Sequence, residues 1–210
     1  MKNLDKTYKK LKNQLDKKDE LRQAAITRSR SIVRKSGEIV RKLHKSENIE
    51  NLFKDLQAIE KEVDKLRADL KNHPSLYHSN TVEIAEQEFC EAYILFSILK
   101  DRSIPDPDKL KVTYNAYILG LADTIGELRR SCLNSLKSGN INQAHEYLEI
   151  MEDLFDVLIK LDYPSGLIAT RRKQDIARGV IEKTRSEIAV IASNEELKNT
   201  IKVYQKTLKK

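Results

Sequence analysis

The chain has 210 residues, of which 40% are apolar and 34% are charged, and its formal net charge is +7. It holds 6 Gly, 4 Pro and no Trp, and so few turn-forming residues favour long helices over sheets. The two cysteines, Cys90 and Cys132, are too few for a disulfide scaffold or a zinc site. No segment has the length and apolarity of a membrane span, so we expect a cytoplasmic protein that makes no membrane contact.

The first predicted helix covers residues 3–45 and carries the excess positive charge. Its section from residue 22 to 45 holds eight basic residues and one acidic residue, whereas the other 186 residues hold 31 of each. This concentration is typical of a polyanion contact, although a helix face rich in Lys and Arg for solubility gives the same pattern. Four of these side chains recur at spacings of 4, 7 and 4 and form one basic ridge that could follow a phosphate backbone. The ridge consists of Arg30, Arg34, Arg41 and Lys45.

A heptad pattern follows the first helix. Two apolar positions repeat over about three heptads: Leu52, Leu56, Ile59, Val63, Leu66 and Leu70. The pattern stops at His73-Pro74, and we expect residues 72–79 to form a loop. The seam can pair with the first helix as an antiparallel hairpin.

The third and fourth predicted helices cover residues 80–100 and 110–137. Asn80 followed by Glu83 resembles a capping box and predicts the start of the third helix. Two prolines, at 105 and 107, exclude a helix from the connector. Gly139 predicts the end of the fourth helix.

Three more helices are predicted in the remaining chain. The fifth begins with Asn142 as its cap and runs to about residue 161, the sixth covers about 167–192, and the seventh about 194–209. The whole pattern contains no strand, no repeat of fixed period and no flexible linker. We therefore predict one all-α domain of about seven helices over residues 1–210.

Two pairs of carboxylates interrupt the apolar pattern of the third and fourth helices. Glu88 and Glu91 share a helix face with Ile84, Leu95 and Ile98, and Asp123 and Glu127 share a face of the next helix. If the two helices are neighbours, four carboxylates can converge. Such oxygen ligands suit Mg²⁺ or Mn²⁺, which would activate water and neutralise a phosphodiester. The alternative is that these are ordinary surface acids, with Glu127 paired to Arg130 on the same helix.

Other residues give weaker signals. The four histidines have no ligand spacing, and the chain has no Gly-rich phosphate loop and no nucleophile motif, so we expect no small-molecule cofactor. Arg171 and Arg172 open the sixth predicted helix, where the helix dipole does not favour cations. A bound external anion would explain them, and so would simple solubility.

Three segments resemble the translin superfamily, whose members are helical proteins that bind RNA and single-stranded DNA. They are "SRSIVRKSGEIVRKLHK" (29–45), "QEFCEA" (87–92) and "YILGLADTIGELRRSCLNSLKSGNI" (117–141), in the family's order. The resemblance extends over nearly the whole chain and is weakest before residue 20 and after residue 190. The compact chain resembles an archaeal or minimal form. The resemblance to this family also implies a hollow homo-oligomer of six or eight copies.

The acidic residues resemble those of the catalytic branch, translin-associated factor X. That branch carries Glu-x-x-Glu on one helix and Asp-x-x-x-Glu on the next, which together bind Mg²⁺ for endoribonuclease activity. Glu88, Glu91, Asp123 and Glu127 match this set. Arg30 and Arg130 match family positions for nucleic-acid contact, but Gly37-Glu38 stands where the family usually has a basic pair.

The expected function is that of a Mg²⁺-dependent endoribonuclease acting on single-stranded RNA, with single-stranded DNA or short duplex RNA as further ligands. Arg30, Arg34, Arg41, Arg130, Arg171 and Arg172 are the expected nucleic-acid contacts. The first alternative is a non-catalytic shell that binds RNA or single-stranded DNA. The second is a scaffold whose helices serve assembly alone.

Overall fold

The structure, a computed structural model, describes residues 3–45 and 49–207, with the side chains of Ile49 and Val203 left out of the description. These residues form eight helices and no strand, which confirms the all-α class. The helices are α1 (Leu4–Leu43), α2 (Ile49–Leu70), α3 (Pro74–Tyr77), α4 (Asn80–Asp101), α5 (Pro107–Leu110), α6 (Tyr114–Lys137), α7 (Ile141–Lys160) and α8 (Arg171–Thr207).

The chain forms two compact units, one ending at Gly120 (unit 1) and one beginning at Leu121 (unit 2). The first turns of α6 belong to unit 1 and the rest of that helix to unit 2. The single domain over residues 1–210 stays a prediction. None of the described helices combines the length and the apolarity that a membrane crossing requires.

In unit 1, α1 and α2 form the predicted antiparallel hairpin. All six seam residues of α2 are at most 2% exposed. Three ion pairs join the helices at heptad intervals: Arg28–Asp69, Lys35–Glu62 and Lys42–Asp55. The residue numbers of each pair add up to 97, as expected for helices that run in opposite directions in one unbroken register.

The most buried helix of unit 1 is α4, which packs against both α1 and α2. Phe89, Leu95 and Ile98 are at most 1% exposed and form its core face. It starts at residue 80 as predicted, but its N-cap residue is Ser79, which makes no side-chain capping hydrogen bond. Asn80 is already helical, so the predicted capping box is wrong.

Two segments predicted to be irregular contain one-turn helices. Pro74 opens α3 inside the predicted loop, and Pro107 opens α5 inside the predicted connector. Proline at the first helical position needs no N–H partner and already has a helical φ, so it starts a helix although it would break one further on. Asp106 caps α5 by accepting a hydrogen bond from the Asp108 N–H at 2.8 Å.

Unit 2 contains the rest of α6 together with α7 and α8. The end of α6 is as predicted, with Gly139 at a φ of +77°. The cap of α7 is Asn140 rather than Asn142, and its side chain accepts from the Gln143 N–H at 3.1 Å. The connector that follows is longer than predicted, since the next helix starts at Arg171.

The predicted sixth and seventh helices are one continuous helix, α8. Ser193 and Asn194 are good capping residues, but they mark a boundary only where the chain leaves the helical path. Glu195 and Lys198 pair at 2.6 Å on the surface just beyond this point and support the continuation. Residues 208 and 209, which the prediction included, lie outside the described part of the chain.

Candidate functional site

The acidic turn of α4 lies at the border between core and surface. Glu88 and Glu91 are half-buried, while Leu95 and Ile98 on the same helix face are fully buried. Ile84, which was predicted to belong to the apolar stripe, is 39% exposed. The two carboxylates therefore lie where the buried stripe meets solvent, on a helix that is anchored by the buried residues of the same face.

A third acid on α4, Glu86, is 2% exposed, and sequence analysis did not single it out. One carboxylate oxygen accepts from the Tyr77 hydroxyl at 3.0 Å, and the other accepts from the N–H and the hydroxyl of Thr113 at 3.0 and 2.9 Å. Burial, and then the nearby Glu86 charge, raise the pKa of Tyr77 to about 12. Glu86 shares its helix face with Val82, Phe89 and Cys90, and this apolar spacing was the signal that could have identified it.

Thr113 transmits the anchoring by Glu86 to α6. The Thr113 hydroxyl also accepts a hydrogen bond from the Ala116 N–H at 3.3 Å, in the first turn of α6. A polar cavity of about 190 Å³ adjoins this network, and Glu83 and Asn115 line it together with Glu86. The start of α6 is thus held against α4 at Glu86, which directly precedes the turn that carries Glu88 and Glu91.

A second close contact joins the two helices at Gly120. A Cβ atom at this position would lie 2.7 Å from the Cys90 Cβ, 2.7 Å from the Gln87 carbonyl oxygen and 3.1 Å from the Glu91 N atom. Real side chains do not tolerate such distances, so glycine is what lets the α6 backbone lie directly on the acidic turn of α4. Within unit 1, Glu86 and Gly120 together fix the register of α6 on this turn.

The second carboxylate pair lies in unit 2. Asp123 forms an ion pair with Lys173 of α8, and Glu127 lies 3.8 Å from the Arg130 guanidinium on its own helix. Both acidic side chains are about 25% exposed. On α6, Leu121, Ile125, Leu128 and Leu136 are buried, and Ile118 is half-buried.

The donor set of the two pairs, four carboxylates without Cys or His, fits a hard divalent cation. As they are oriented, no three His, Cys, Asp or Glu side chains within residues 3–45 and 49–207 form a group that could hold a metal ion. Glu88 and Glu91 belong to unit 1, and Asp123 and Glu127 belong to unit 2.

The basic side chains between residues 22 and 45 include two groups. Arg28, Lys35 and Lys42 face α2 and form the ion pairs of the hairpin. The four ridge residues, Arg30, Arg34, Arg41 and Lys45, are all exposed. Arg34 lies 3.4 Å from Glu38, at a distance and exposure that contribute little to stability. The ridge residues are thus accessible to a partner, whereas the three cations that pair with α2 are engaged within the hairpin.

In unit 2, adjacent arginines of α6 have different environments. Arg129 is only 16% exposed and donates to the Thr184 hydroxyl at 2.6 Å and to Glu187 at 3.0 Å, which ties α6 to α8. Arg130, the predicted nucleic-acid contact, is 54% exposed. Arg171 and Arg172 are exposed as well, at the start of α8. All six predicted contacts are therefore on the surface of their own unit.

Relatives with solved structures share this fold. The chain resembles the crystal structure of apo-NeC3PO with a TM-score of 0.80 and 26% identity, covering 91% of this chain and 98% of that one. A structure of AfC3PO in complex with duplex RNA gives a TM-score of 0.82 and 25% identity, covering 90% of this chain and 97% of that one.

Relatives are also found by sequence. An uncharacterized protein of Methanocaldococcus jannaschii is 37% identical over 194 residues, which are 92% of this chain and 86% of that protein. Translin-associated protein X of Rattus norvegicus is 40% identical over 48 residues, which are 23% of this chain and 17% of that protein. The model of the translin family matches residues 3–187. The resemblance stated from the sequence is thereby confirmed, and the chain belongs to the translin family.

Proposed function

We propose that this protein binds RNA as a homo-oligomer, through the exposed basic side chains of α1, α6 and α8. The observation that carries the proposal is the likeness to the AfC3PO complex with duplex RNA, over 90% of this chain. The exposed ridge supports it, because phosphate contacts require cations that are accessible from solvent. Single-stranded RNA and DNA are further proposed ligands of these side chains.

RNA binding is tested by fluorescence anisotropy with a labelled RNA, offered both as a single strand and as a duplex. We expect the Arg30→Glu, Arg130→Glu double variant to lose affinity at least tenfold, since both exposed charges are reversed. A variant that binds as tightly as the native chain would favour the scaffold alternative. Sedimentation of both proteins shows whether the oligomer is kept.

We further propose that the protein is a metal-dependent endoribonuclease, with Glu88, Glu91, Asp123 and Glu127 as ligands for Mg²⁺ or Mn²⁺. Bound Mg²⁺ would supply the positive charge that activates water and neutralises the phosphodiester. The four carboxylates would hold the ion, and one of them would orient the attacking water. The proposal requires that the carboxylates of both pairs turn toward one site. The identity of the four acids with the family's catalytic pattern supports it, as does the anchoring of the acidic turn of α4 by Glu86 and Gly120.

Metal binding is tested separately from cleavage. A ligand that binds the folded state raises the melting temperature by mass action, so Mg²⁺ should stabilise the native chain. Glu88→Gln and Asp123→Asn should each abolish this stabilisation and the EDTA-sensitive cleavage of single-stranded RNA, and leave RNA binding intact. Glu83→Gln, on the same helix as Glu88, is the matched control. Cleavage that survives EDTA and both substitutions would contradict the proposed site.

A non-catalytic RNA-binding shell is the second candidate. The observation that favours it is the neutralisation of the second acidic pair, since Asp123 pairs with Lys173 and Glu127 lies beside Arg130. In that case the Lys173 ammonium group offsets the negative charge of Asp123, and no metal ion is needed for this purpose. Salt-dependent RNA binding without any Mg²⁺-dependent product or thermal shift would establish this candidate.

A further inference from the structure

The first part of α1 extends beyond the hairpin as a helix whose residues are all exposed. Residues 3–20, here named the α1 tip, are exposed without exception, and residues 4–20 are helical. Four large apolar residues recur along it at spacings of 4, 3 and 4: Leu4, Tyr8, Leu11 and Leu15. Their exposures lie between 59% and 65%. An exposed helix of this length is marginal without a partner, so an apolar stripe on it calls for one.

This stripe is in register with the seam that α1 buries in the hairpin. The buried stripe residues of α1 are Ala25, Ser29, Ile32, Ser36, Ile39 and Leu43. Each of them lies opposite one seam residue of α2, and the two residue numbers of every such pair add up to 95. The pairs run from Ala25 with Leu70 to Leu43 with Leu52. The seam loses its α2 partner beyond Ala25 because α2 ends at Leu70. Lys18 and Arg22 occupy the next two positions of this period, and the apolar seam resumes in the α1 tip, where the opposing helix has ended.

We propose that the α1 tip pairs with the α1 tip of a second copy of this chain, in antiparallel orientation. Two identical tips match best when their residue numbers sum to 19. This register places Leu4 against Leu15 of the other copy and Tyr8 against its Leu11, in four continuous apolar layers. It repeats between copies the antiparallel packing that α1 already forms with α2.

Charge complementarity favours this orientation. In the α1–α2 hairpin, the residue numbers of the ion pairs beside the seam add up to 97, whereas those of the seam pairs add up to 95. In the tip pair, facing residues on the opposite flank of the seam have numbers that add up to 17. This places Asp5 against Lys12 of the second copy, and the symmetry of the pair repeats the contact. A parallel pair would instead bring Lys12 beside Thr7 of the second copy, so Lys12 would have no acidic complement across the seam. Thr7 and Gln14 face each other on the remaining flank and are compatible with the antiparallel pair.

The size of the contact defines its role. Each of the four apolar side chains exposes on the order of 100 Å² of surface to solvent. Two paired tips would therefore bury on the order of 800 Å² in total, which is below the usual range for an independent interface. The pair would act alongside other subunit contacts, as one arm of a multivalent assembly. The inference thus rests on the homo-oligomer of the proposed function and names one of its contacts.

Disulfide crosslinking tests the register directly. Leu4 and Leu15 lie eleven residues apart, about 16 Å along one helix, so cysteines at these positions cannot join within a chain. In the antiparallel pair, the Leu4→Cys, Leu15→Cys double variant crosslinks two chains at both ends of the contact, whereas each single variant does not. The native thiols, Cys90 and Cys132, are buried and do not compete.

Each outcome decides the inference. Crosslinked dimers from the double variant alone support it. Dimers from both single variants indicate parallel pairing and overturn it, and an absence of dimers from all three variants overturns it too. Sedimentation of the native chain separates this result from the proposed function: an oligomer without the crosslink leaves the RNA-binding shell standing, while a monomer contradicts both.

A charge exchange in the double-cysteine background supplies the second readout. Asp5→Lys and Lys12→Glu should each slow crosslinking severalfold, because each places like charges opposite one another. The combined exchange should restore most of the rate. Equal slowing in all three variants would mean that the two residues do not face each other and would overturn the register. Circular dichroism checks that α1 stays helical in each variant.

Discussion

Single side chains decide how α4 and α6 are joined in unit 1. Glu86 is buried and accepts three hydrogen bonds, and two of its donors belong to Thr113 just before α6. A buried carboxylate is tolerated when its oxygens are satisfied in this way, but its partners then depend on it. Glu86 thus helps to hold the turn that carries Glu88 and Glu91 in position through buried hydrogen bonds.

We predict that Glu86→Ala destabilises the protein by about 2–4 kcal/mol, because the Thr113 N–H and the Tyr77 hydroxyl lose their acceptor inside the fold. Urea denaturation followed by circular dichroism measures the change in the free energy of unfolding. Glu83→Ala is the control: it removes a half-buried acid of the same helix and should cost less than about 1 kcal/mol. Equal losses in the two variants would contradict the anchoring role of Glu86.

Arg129 and Arg130 offer a matched comparison on consecutive positions of α6. Arg129→Ala removes the donor of Thr184 and Glu187, and we expect a loss of about 1–3 kcal/mol with RNA affinity unchanged. Arg130→Ala should change stability by less than about 0.5 kcal/mol and weaken RNA binding. Denaturant unfolding and anisotropy titration on both variants check this. The reverse assignment would show that the inward arginine, rather than the exposed one, serves the nucleic acid.

At the scale of helices, register is set by spacing that a sequence shows directly. The six α2 seam residues predicted from their heptads are all buried, and the antiparallel pairing with α1 follows from the same period. Helix boundaries depend on chain direction as well as on residue type. Ser193 and Asn194 can cap a helix or lie inside one, and Pro107 can end a helix or begin one. These alternatives differ in energy only once the neighbouring segments are placed.

The same reasoning explains what was missed at the candidate site. The face shared by Glu88 and Glu91 was readable from spacings of 3 and 4, and so was that of Asp123 and Glu127. Glu86 lies among buried residues of its own helix, a spacing that marks it as buried, but its hydrogen-bond partner Thr113 is 27 residues away in sequence. The ion pair of Asp123 with Lys173 joins residues 50 positions apart, and local spacing in the sequence does not predict it. Contacts over such separations are set by the fold and not by helix period.

Two glycines of α6 test how closely the helix must approach α4. Gly120→Ala places a methyl group 2.7 Å from the Cys90 Cβ and the Gln87 oxygen, and we expect a loss of about 1–3 kcal/mol in unfolding free energy. Gly126→Ala meets no atom within 4 Å and should stabilise the helix by about 0.5–1 kcal/mol. Thermal and urea unfolding of the two variants give opposite signs if this contact is as close as described. Stabilisation by Gly120→Ala would contradict the close contact.

For the whole molecule, the position of charge matters more than its total. The net charge of +7 equals that of residues 22–45 alone, since the rest of the chain balances. Within that section three cations are engaged with α2, so the hairpin sorts the basic residues of one helix into a structural face and an open face. A polyanion would therefore meet the ridge residues first.

We predict that the ridge, and not the net charge, sets the salt dependence of RNA binding. A variant with Arg30→Gln, Arg34→Gln and Arg41→Gln should lower the slope of log K against log salt by about 2–3, because each phosphate contact releases roughly one counterion. The control removes the same three charges from the exposed tip of the same helix, as Lys6→Gln, Lys9→Gln and Lys10→Gln. It should keep the native slope, since counterions are released at phosphates that are contacted and not in proportion to total charge. Anisotropy titrations over a range of salt concentrations measure both slopes. Equal reductions in the two variants would mean that RNA responds to the overall charge of α1, and the ridge would then have no special part in binding.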